Sequence, residues 1–302
     1  MDIGTNSTRL LVADVQPGGA MPELDRRSTV TRLGQGVDAY GALAPEAMQR
    51  VFDTLKGYRA IIEEHGATET TGVLTSAVRD AANGADFAAR VRDDFGLDAR
   101  TLSGDQEAQL SFLGATSARD PEAPSPVVII DIGGGSTEFV VGESGEVAFH
   151  ASTQAGSVRQ GERFLRSDPP APDELATLAE EVRGIFHRGV PDDVRASVIA
   201  GVAVAGTATQ LAAIDQALEP YDPKRVHGYH LDRAACERML AELAQLPEAQ
   251  RRATPGLDPE RAPTIVAGAV LMVEAMRAFD LEVVEVSEHD ILRGAALRRA
   301  GL

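Results

Sequence analysis

Two short stretches of the sequence place an aspartate just before a turn of small and hydroxyl-bearing residues. The first reads DIGTNSTRLLVA from Asp2, and the second reads DIGGGSTEFVVG from Asp131. When the two are set in register the aspartates coincide, Ser7 lies over Ser136, and the residues that follow are mostly apolar in both copies. This pattern predicts two similar β-hairpins, each with an aspartate at the end of its first strand.

The turns of these hairpins have the composition of a phosphate-binding loop. Backbone N–H groups and hydroxyls in a tight turn can point at one anion, and glycine lets a phosphate approach the backbone closely. An aspartate at the strand end can hold a divalent cation beside that phosphate. A single copy would favour an ordinary glycine-rich turn, whereas the duplication favours a phosphate site shared by two similar domains. The candidate residues are Thr5, Asn6, Ser7, Gly133, Gly134, Gly135 and Ser136.

Composition and charge exclude several classes of protein. The 302-residue chain has a formal net charge of −17, which argues against nonspecific binding of nucleic acid or of an anionic membrane. No apolar run approaches the roughly 20 residues of a membrane-spanning helix, and no signal peptide is recognisable. The one cysteine, Cys236, excludes an internal disulfide and fits a reducing compartment, so we expect a cytoplasmic protein. The Walker and dinucleotide-binding fingerprints do not occur.

The order of the predicted elements indicates an α/β protein with two domains. The predicted strands include Arg9–Val15, Val127–Ile130 and Ser197–Val204. Helical patterns alternate with them, and Ser103 and Gln106 have the spacing of a capping box, which predicts a helix start. The proline-rich segment 119–127 is the predicted linker. The predicted domains therefore span residues 1–119 and 127–288.

Together with three further stretches, the two hairpins resemble the exopolyphosphatase and guanosine pentaphosphate phosphohydrolase family. These stretches are TSAVRDAAN, SGDQEAQLSF and AGTATQL, and the resemblance extends from Asp2 to about Leu297. The family belongs to the actin, sugar-kinase and Hsp70 superfamily. The resemblance implies an α/β fold with two ribonuclease H-like (actin-like ATPase) domains flanking a central cleft. It also implies that the C-terminal helix, over residues 289–302, packs back on the first domain.

The resemblance further implies roles for individual residues. Glu107 matches the glutamate that acts as general base for the attacking water, and Glu138 matches the second essential carboxylate. Asp2, Asp131 and Glu138 match positions associated with Mg²⁺, for which Mn²⁺ is a candidate substitute. The remaining matches are phosphate-binding positions at Arg79 and Asn83 and, in the superfamily's adenosine motif, Gly206 and Thr207. Arg159 and Arg163 are further candidates for contact with a polyanion, because arginine recognises phosphate well.

The implied function is Mg²⁺-dependent hydrolysis of the terminal phosphoanhydride of inorganic polyphosphate. Conversion of guanosine pentaphosphate (pppGpp) to ppGpp, a reaction of the stringent response, uses the same chemistry, and the motifs do not separate the two substrates. A superfamily kinase and a non-catalytic (p)ppGpp- or nucleotide-binding sensor are alternatives of other classes. Neither nucleic acid nor a membrane is an expected partner, and a homodimer is common in the family.

Each candidate residue also has a purely structural interpretation. Glu107 lies in the first turn of its predicted helix, where an acid stabilises the helix whether or not it is catalytic. Glu138 could be a polar residue on the solvent face of a strand, and Arg79 a surface arginine. His227 and His230 have i, i+3 spacing but no third ligand nearby in the sequence, so we expect a structural role rather than a metal site.

The first hairpin begins abruptly in the sequence. Four apolar residues, Val127–Ile130, come directly before Asp131, whereas Met1 alone precedes Asp2. We therefore expect a start site assigned several residues too late, or a trimmed polypeptide. The strand equivalent to Val127–Ile130 would then be missing, and Asp2 would be poorly held.

Overall fold

The structure is a computed structural model that describes residues 1–17, 19–120, 122–143 and 145–302. It divides into two compact units. The first unit comprises Met1–Ser117 and Ile291–Leu302, and the second comprises Ala118–Asp290. Each unit is built around one mixed β-sheet with helices packed on it. No helix in the described ranges is both long enough and apolar enough to span a bilayer.

The sheet of the first unit has five strands in the order β3-β2-β1-β4-β5. They are β1 (Asp2–Ile3), β2 (Ser7–Ala13), β3 (Glu23–Val30), β4 (Thr71–Leu74) and β5 (Asp98–Thr101). The first three strands are antiparallel neighbours, while β4 runs parallel to β1 and β5 runs parallel to β4. The short strand β1 therefore lies at the centre of the sheet, between β2 and β4.

The helices in the described part of this unit are α1 (Val37–Tyr40), α2 (Pro45–Glu64), α3 (Ser76–Asp80), α4 (Gly84–Phe95), α5 (Gly104–Thr116) and α14 (Ile291–Arg299). Helix α2 begins with proline at a position where the missing N–H costs nothing, and it buries one apolar stripe that includes Val51 and Leu55. The C-terminal helix α14 packs against α5, and their approach is close. A Cβ on Gly294 would lie 1.9 Å from the carbonyl oxygen of Leu110.

The sheet of the second unit has six strands in the order β10-β11-β9-β6-β7-β8. They are β6 (Val127–Ile132), β7 (Thr137–Glu143), β8 (Glu146–Thr153), β9 (Ala200–Val204), β10 (Tyr229–Asp232) and β11 (Val283–Val286). Strands β6, β7 and β8 are antiparallel neighbours, and β9 and β11 follow in parallel on the other side of β6. The two sheets thus share one strand order, with β10 added at the edge of the second.

The helices of the second unit are α6 (Ser157–Phe164), α7 (Pro172–Gly189), α8 (Asp192–Ser197), α9 (Ala205–Asp215), α10 (Pro223–Val226), α11 (Arg233–Ala244), α12 (Glu248–Arg251) and α13 (Ile265–Ala278). Strand β6 and helix α13 are buried along almost their whole lengths. Such continuous burial is expected for a central strand and for a helix enclosed by others.

The secondary structure differs from the sequence-based prediction near Ser197. The predicted strand Ser197–Val204 begins at Ala200, and Ser197 is instead the last residue of α8. The guanidinium of Arg195 explains the difference, because it donates hydrogen bonds to the carbonyl oxygens of His187 and Val190 and so ties α8 to the end of α7. The predicted capping box is confirmed: Ser103 and Gln106 exchange both hydrogen bonds at the start of α5.

Candidate functional site

The turn of the second hairpin is held by the first residues of α6. Within the turn, the N–H of Gly133 donates to the carbonyl oxygen of Ser136 at 3.0 Å. The carbonyl oxygens of the three glycines all accept hydrogen bonds from residues of α6. The donors are Ser157 N at 2.9 Å to Gly133, Val158 N at 2.9 Å and Arg159 N at 3.1 Å to Gly134, and the Arg159 guanidinium Nε at 2.8 Å to Gly135.

This arrangement fixes the direction of the N–H groups in the turn. Because a peptide unit is planar and trans, its N–H points away from its own carbonyl. Pinning the carbonyls of residues 133–135 toward α6 therefore turns the N–H groups of Gly134, Gly135 and Ser136 the other way. None of these three groups donates a hydrogen bond within the described part of the chain. Successive N–H groups of this kind form an anion-binding concavity.

Glycine at position 156 is what allows α6 to come this close. A Cβ on Gly156 would lie 2.4 Å from the backbone of Gly134, a distance that real side chains do not adopt. Gly156 is therefore as necessary to the loop as the three glycines of GGGS, although it lies far beyond them in the sequence.

Two carboxylates stand side by side at the entrance to this turn. Asp131 and Glu138 are direct partners in the antiparallel pairing of β6 with β7, so their side chains share one face of the sheet. Asp131 is 7% exposed and Glu138 is 1% exposed. Ser152, on β8, donates its hydroxyl to Oε1 of Glu138 at 2.7 Å. Glu138 is thus buried, and its interpretation as a solvent-facing strand residue does not hold.

Such a pair suits a hard divalent cation. Like charges placed directly opposite each other in a sheet repel, and an ion between them removes the repulsion. Mg²⁺ prefers oxygen ligands and is usually held by one or two carboxylates, with water and phosphate oxygens completing its coordination. No group of three or more histidine, cysteine or acidic side chains able to hold a metal occurs among the described residues. The Asp131–Glu138 pair therefore fits Mg²⁺, and it does not resemble an all-protein metal cage.

The turn of the first hairpin has the same internal hydrogen bond but a different support. The N–H of Gly4 donates to the carbonyl oxygen of Ser7 at 3.0 Å. A strap formed by residues 31–34 then takes the place of α6. Its donors are Thr31 N at 2.9 Å and Arg32 N at 2.8 Å to the carbonyl oxygen of Asn6, and Gly34 N at 2.8 Å to that of Thr5.

Two side chains of this first turn are buried and polar. The hydroxyls of Thr5 and Ser76 are hydrogen-bonded at 2.9 Å, which links the turn to the start of α3. Asn6 is 8% exposed, and its side-chain oxygen Oδ1 has no hydrogen-bond partner. Because buried polar atoms are normally satisfied, this amide is suited to a bound polar ligand or water.

Asp2 is firmly held. It pairs with Arg9 on one side and with Val73 on the other, and the α-amino group of Met1 donates to the carbonyl oxygen of Thr71 at 2.8 Å. The expectation that Asp2 would be poorly held is therefore wrong. The guanidinium of Arg9 donates to Asp2 Oδ2 from Nη2 at 2.6 Å and from Nε at 2.9 Å. The metal role predicted for Asp2 stays a prediction, and in this structure the carboxylate accepts from a cation of its own chain.

Glu107 lies in the first turn of α5 and is 7% exposed. The Nη1 atom of Arg79 donates to Glu107 Oε2 at 2.9 Å and to the carbonyl oxygen of Leu102 at 3.1 Å. A helix N-terminus favours the ionised form of a carboxylate, and the arginine adds to this effect. Glu107 is therefore a buried, oriented carboxylate rather than an exposed helix-capping acid, and Arg79 is directed at it.

Two further predicted phosphate ligands are used within the fold. The side-chain amide of Asn83 accepts from Leu43 N at 2.8 Å and donates to Leu43 O at 3.0 Å. A phosphate contact through the same atoms would require this pair to open. Thr207 Oγ1 donates to the carbonyl oxygen of Ile132 at 3.1 Å and ties α9 to the end of β6. A Cβ on Gly206 would lie 2.1 Å from the guanidinium of Arg261.

Two residues with other expected roles, His227 and Cys236, make structural contacts. The rings of His227 and His289 pack with their centroids 4.3 Å apart, and His227 Nδ1 accepts from Glu288 N at 3.4 Å. Cys236 is fully buried in α11, and burial raises the pKa of its thiol to about 12. The thiol is therefore a packing group rather than a nucleophile.

Sequence reasoning did not identify the supports of the site. Ser152 and the strap 31–34 belong to none of the quoted motifs, and the supporting contacts of Ser76 and Gly156 join segments that are distant in the chain. Arg159 was expected to line the path of a polyanion, and its Nε instead donates into the turn. The repeat places Arg9 at the position of Glu138, and the strand register shows that each of them is paired with the aspartate of its own hairpin.

The two sheets have the same strand order, and each has a glycine- or hydroxyl-rich turn between its first two strands. These features define a duplicated α/β protein of a class that acts on phosphate groups. The model of one protein family, the Ppx/GppA phosphatase family, matches residues 11–299. The chain belongs to this family.

Several proteins and solved structures are similar to the chain over nearly its whole length. Exopolyphosphatase 2 of Mycobacterium tuberculosis is 38% identical over 316 residues, which cover 100% of this chain and 98% of that protein. The crystal structure of the Ppx/GppA family member from Aquifex aeolicus has a TM-score of 0.81 and 28% identity, and the match covers 99% of this chain and 95% of that one. An exopolyphosphatase from Cytophaga hutchinsonii gives a TM-score of 0.90 at 25% identity, covering 99% and 96%. These similarities confirm the predicted α/β fold with two actin-like domains.

Proposed function

We propose that this protein is an exopolyphosphatase that removes the terminal phosphate of inorganic polyphosphate in a Mg²⁺-dependent reaction. The observation that carries the proposal is the buried pair Asp131–Glu138 beside the turn of residues 133–136, where three N–H groups point outward together. A cation site next to an anion-binding turn suits a magnesium-complexed phosphate chain. The named exopolyphosphatases among the relatives, at 38% and 25% identity, support the same substrate class.

The second unit supplies the groups that hold the phosphate chain in this proposal. The N–H groups of Gly134, Gly135 and Ser136 donate to nonbridging oxygens, while Ser152 keeps the carboxylate of Glu138 in place. Mg²⁺ bound by Asp131 and Glu138 would neutralise charge on the phosphate oxygens and on the leaving phosphate. Phosphoanhydride cleavage needs mainly such positioning and electrostatic stabilisation.

The first unit supplies the proton acceptor. The oxygen of a water molecule attacks the terminal phosphorus, and the bridging P–O bond breaks. Glu107 accepts the proton of that water, so the products are orthophosphate and a chain one phosphate shorter. Arg79 donates to Oε2 of Glu107 and so fixes the direction of this carboxylate. The Asn6 amide and the Thr5–Ser76 hydroxyl pair offer further polar contacts.

The test is phosphate release by the purified protein from short polyphosphate, long polyphosphate and pppGpp, measured side by side with and without Mg²⁺. We expect release from polyphosphate that depends on Mg²⁺. pppGpp carries the same terminal phosphoanhydride, and a higher kcat/KM for pppGpp would replace the proposal by a pppGpp phosphohydrolase. Tight binding of either substrate without any phosphate release would replace it by a sensor.

A further inference from the structure

The contact between Arg159 and the second turn has a consequence for binding. The first two carbonyls of this turn, those of Gly133 and Gly134, accept from backbone N–H groups of α6. The carbonyl of Gly135 is held differently, since its donor is the side-chain Nε of Arg159 at 2.8 Å. One of the three outward N–H groups, that of Ser136, therefore depends on a side chain for its direction.

The equivalent position of the first hairpin is held without a side chain. There the carbonyl of Asn6, which lies over Gly135 in the repeat, accepts from the backbone N–H groups of Thr31 and Arg32. The same peptide unit is thus pinned in both copies, once by a strap and once by a guanidinium. Keeping that carbonyl turned away is a shared requirement of the two turns, met by unrelated segments.

We infer that Arg159 is a positioning residue, which holds the Gly135–Ser136 peptide so that the Ser136 N–H faces a bound phosphate. This inference rests on the proposed phosphate-binding role of the turn and refines it. A hydrogen bond from a charged donor is stronger than one between neutral groups, which suits a peptide that must not rotate. In this inference Arg159 acts on the phosphate through the direction of the Ser136 N–H.

The test compares Arg159→Met and Arg159→Lys with Arg188→Met as the matched control. Arg188 is an exposed arginine near the end of α7, in the same unit, and no binding role is assigned to it. The probe is orthophosphate, titrated into ¹⁵N-labelled full-length protein while the amide signals of residues 134–136 are followed by NMR. Thermal unfolding of each variant is measured in parallel.

We expect all three amide signals to shift in the wild type and in Arg188→Met. In Arg159→Met the Ser136 shift is lost while the Gly134 shift remains, because the carbonyl that orients Gly134 is held by the backbone of Ser157. Arg159→Lys restores part of the Ser136 shift. In steady-state assays we expect the KM for polyphosphate to rise about tenfold in Arg159→Met, because one charge-assisted hydrogen bond is lost. We expect kcat to change by less than about threefold.

Three results would overturn the inference. An unchanged Ser136 shift in Arg159→Met would remove the positioning role. Loss of all three shifts together with a lowered unfolding temperature would show that Arg159 merely stabilises the unit. If the wild-type signals themselves do not respond to orthophosphate, the phosphate-binding role of the turn fails first and the inference fails with it.

Discussion

The two hairpins have the same backbone arrangement and differ in the residue that is paired with the aspartate across the two strands. In the first, Asp2 faces Arg9, and the two form an ion pair at 2.6 Å. In the second, Asp131 faces Glu138, and both are buried. The first hairpin pairs its aspartate with a cation of its own chain, whereas the second places two carboxylates together. The duplicated fold thus has an ion pair at this position in one half and an acidic pair, the proposed Mg²⁺ site, in the other.

The largest effect is expected from Glu138→Gln, which removes half of the acidic pair. We expect phosphate release to fall about 10³-fold, because the charge that binds the cation is lost. Mg²⁺ should raise the unfolding temperature of the wild type, since a ligand of the native state stabilises it, and this rise should be lost in the variant.

The matched control for that change is Glu143→Gln, at the exposed end of the same strand. It should behave as the wild type in both measurements. Near-normal turnover and a normal Mg²⁺ effect in Glu138→Gln would contradict the proposed difference between the hairpins. The second hairpin would then not need its second carboxylate.

The next effect concerns the proton acceptor of the first unit. Glu107→Gln should lower kcat about 10²- to 10³-fold and leave the Mg²⁺-dependent rise in unfolding temperature intact, because general-base catalysis and cation binding are assigned to different units. Kinetics and thermal unfolding measure the two properties separately. Asp105→Asn, an exposed acid in the same helical turn, is the control. Loss of the Mg²⁺ effect in Glu107→Gln would show that the two roles are not separate.

A charge reversal in the first hairpin tests whether an acidic pair at this position is enough to bind a cation. Arg9→Glu would place a carboxylate opposite Asp2 and reproduce the acidic pair of the second hairpin. We expect a loss of about 3 kcal/mol in the free energy of unfolding without divalent cation, since breaking a buried ion pair leaves a charge uncompensated. Mg²⁺ should restore part of it, as chemical denaturation would measure. The absence of any Mg²⁺-dependent recovery would show that strand register alone does not make a cation site.

The smallest effect is a pH dependence within the first hairpin. Burial lowers the pKa of the Met1 α-amino group from 8.0 to about 6. Between these values the unfolded chain binds more protons than the folded one, so the free energy of unfolding rises with pH and falls as the pH drops from 8 to 6. The expected change is about 2 kcal/mol, measured by denaturation at each pH. The same chain with an acetylated α-amino group should lack this dependence, and an equal pH response in both forms would contradict it.

Much of the architecture is readable in the chain because it depends on local pattern. The repeat around Asp2 and Asp131 predicts two hairpins, and the Ser103–Gln106 spacing predicts the start of α5, since a capping box involves residues three apart. The strand predicted from Ser197 begins three residues late in the structure, because the contacts of Arg195 with the end of α7 outweigh local propensity.

The supports of the candidate site are not readable in this way. The strap 31–34, Gly156 and Ser152 contact the two turns across long stretches of sequence, and nothing in their local pattern indicates a partner. Asn83 has the right chemistry for phosphate, yet its amide is used by Leu43. A residue type states what a side chain can bind, and only its neighbours decide what it does bind.

The sequence by itself determined the duplication, the α/β class, the family and the placing of Arg9 and Glu138 at equivalent positions, because these follow from residue order and spacing. Only the tertiary structure decided that Asp2 is neutralised while Asp131 and Glu138 stand together, and that the three carbonyls of the second turn are turned toward α6. Both outcomes depend on strand register and on the approach of distant backbone segments, and these are fixed when the sheets and helices pack.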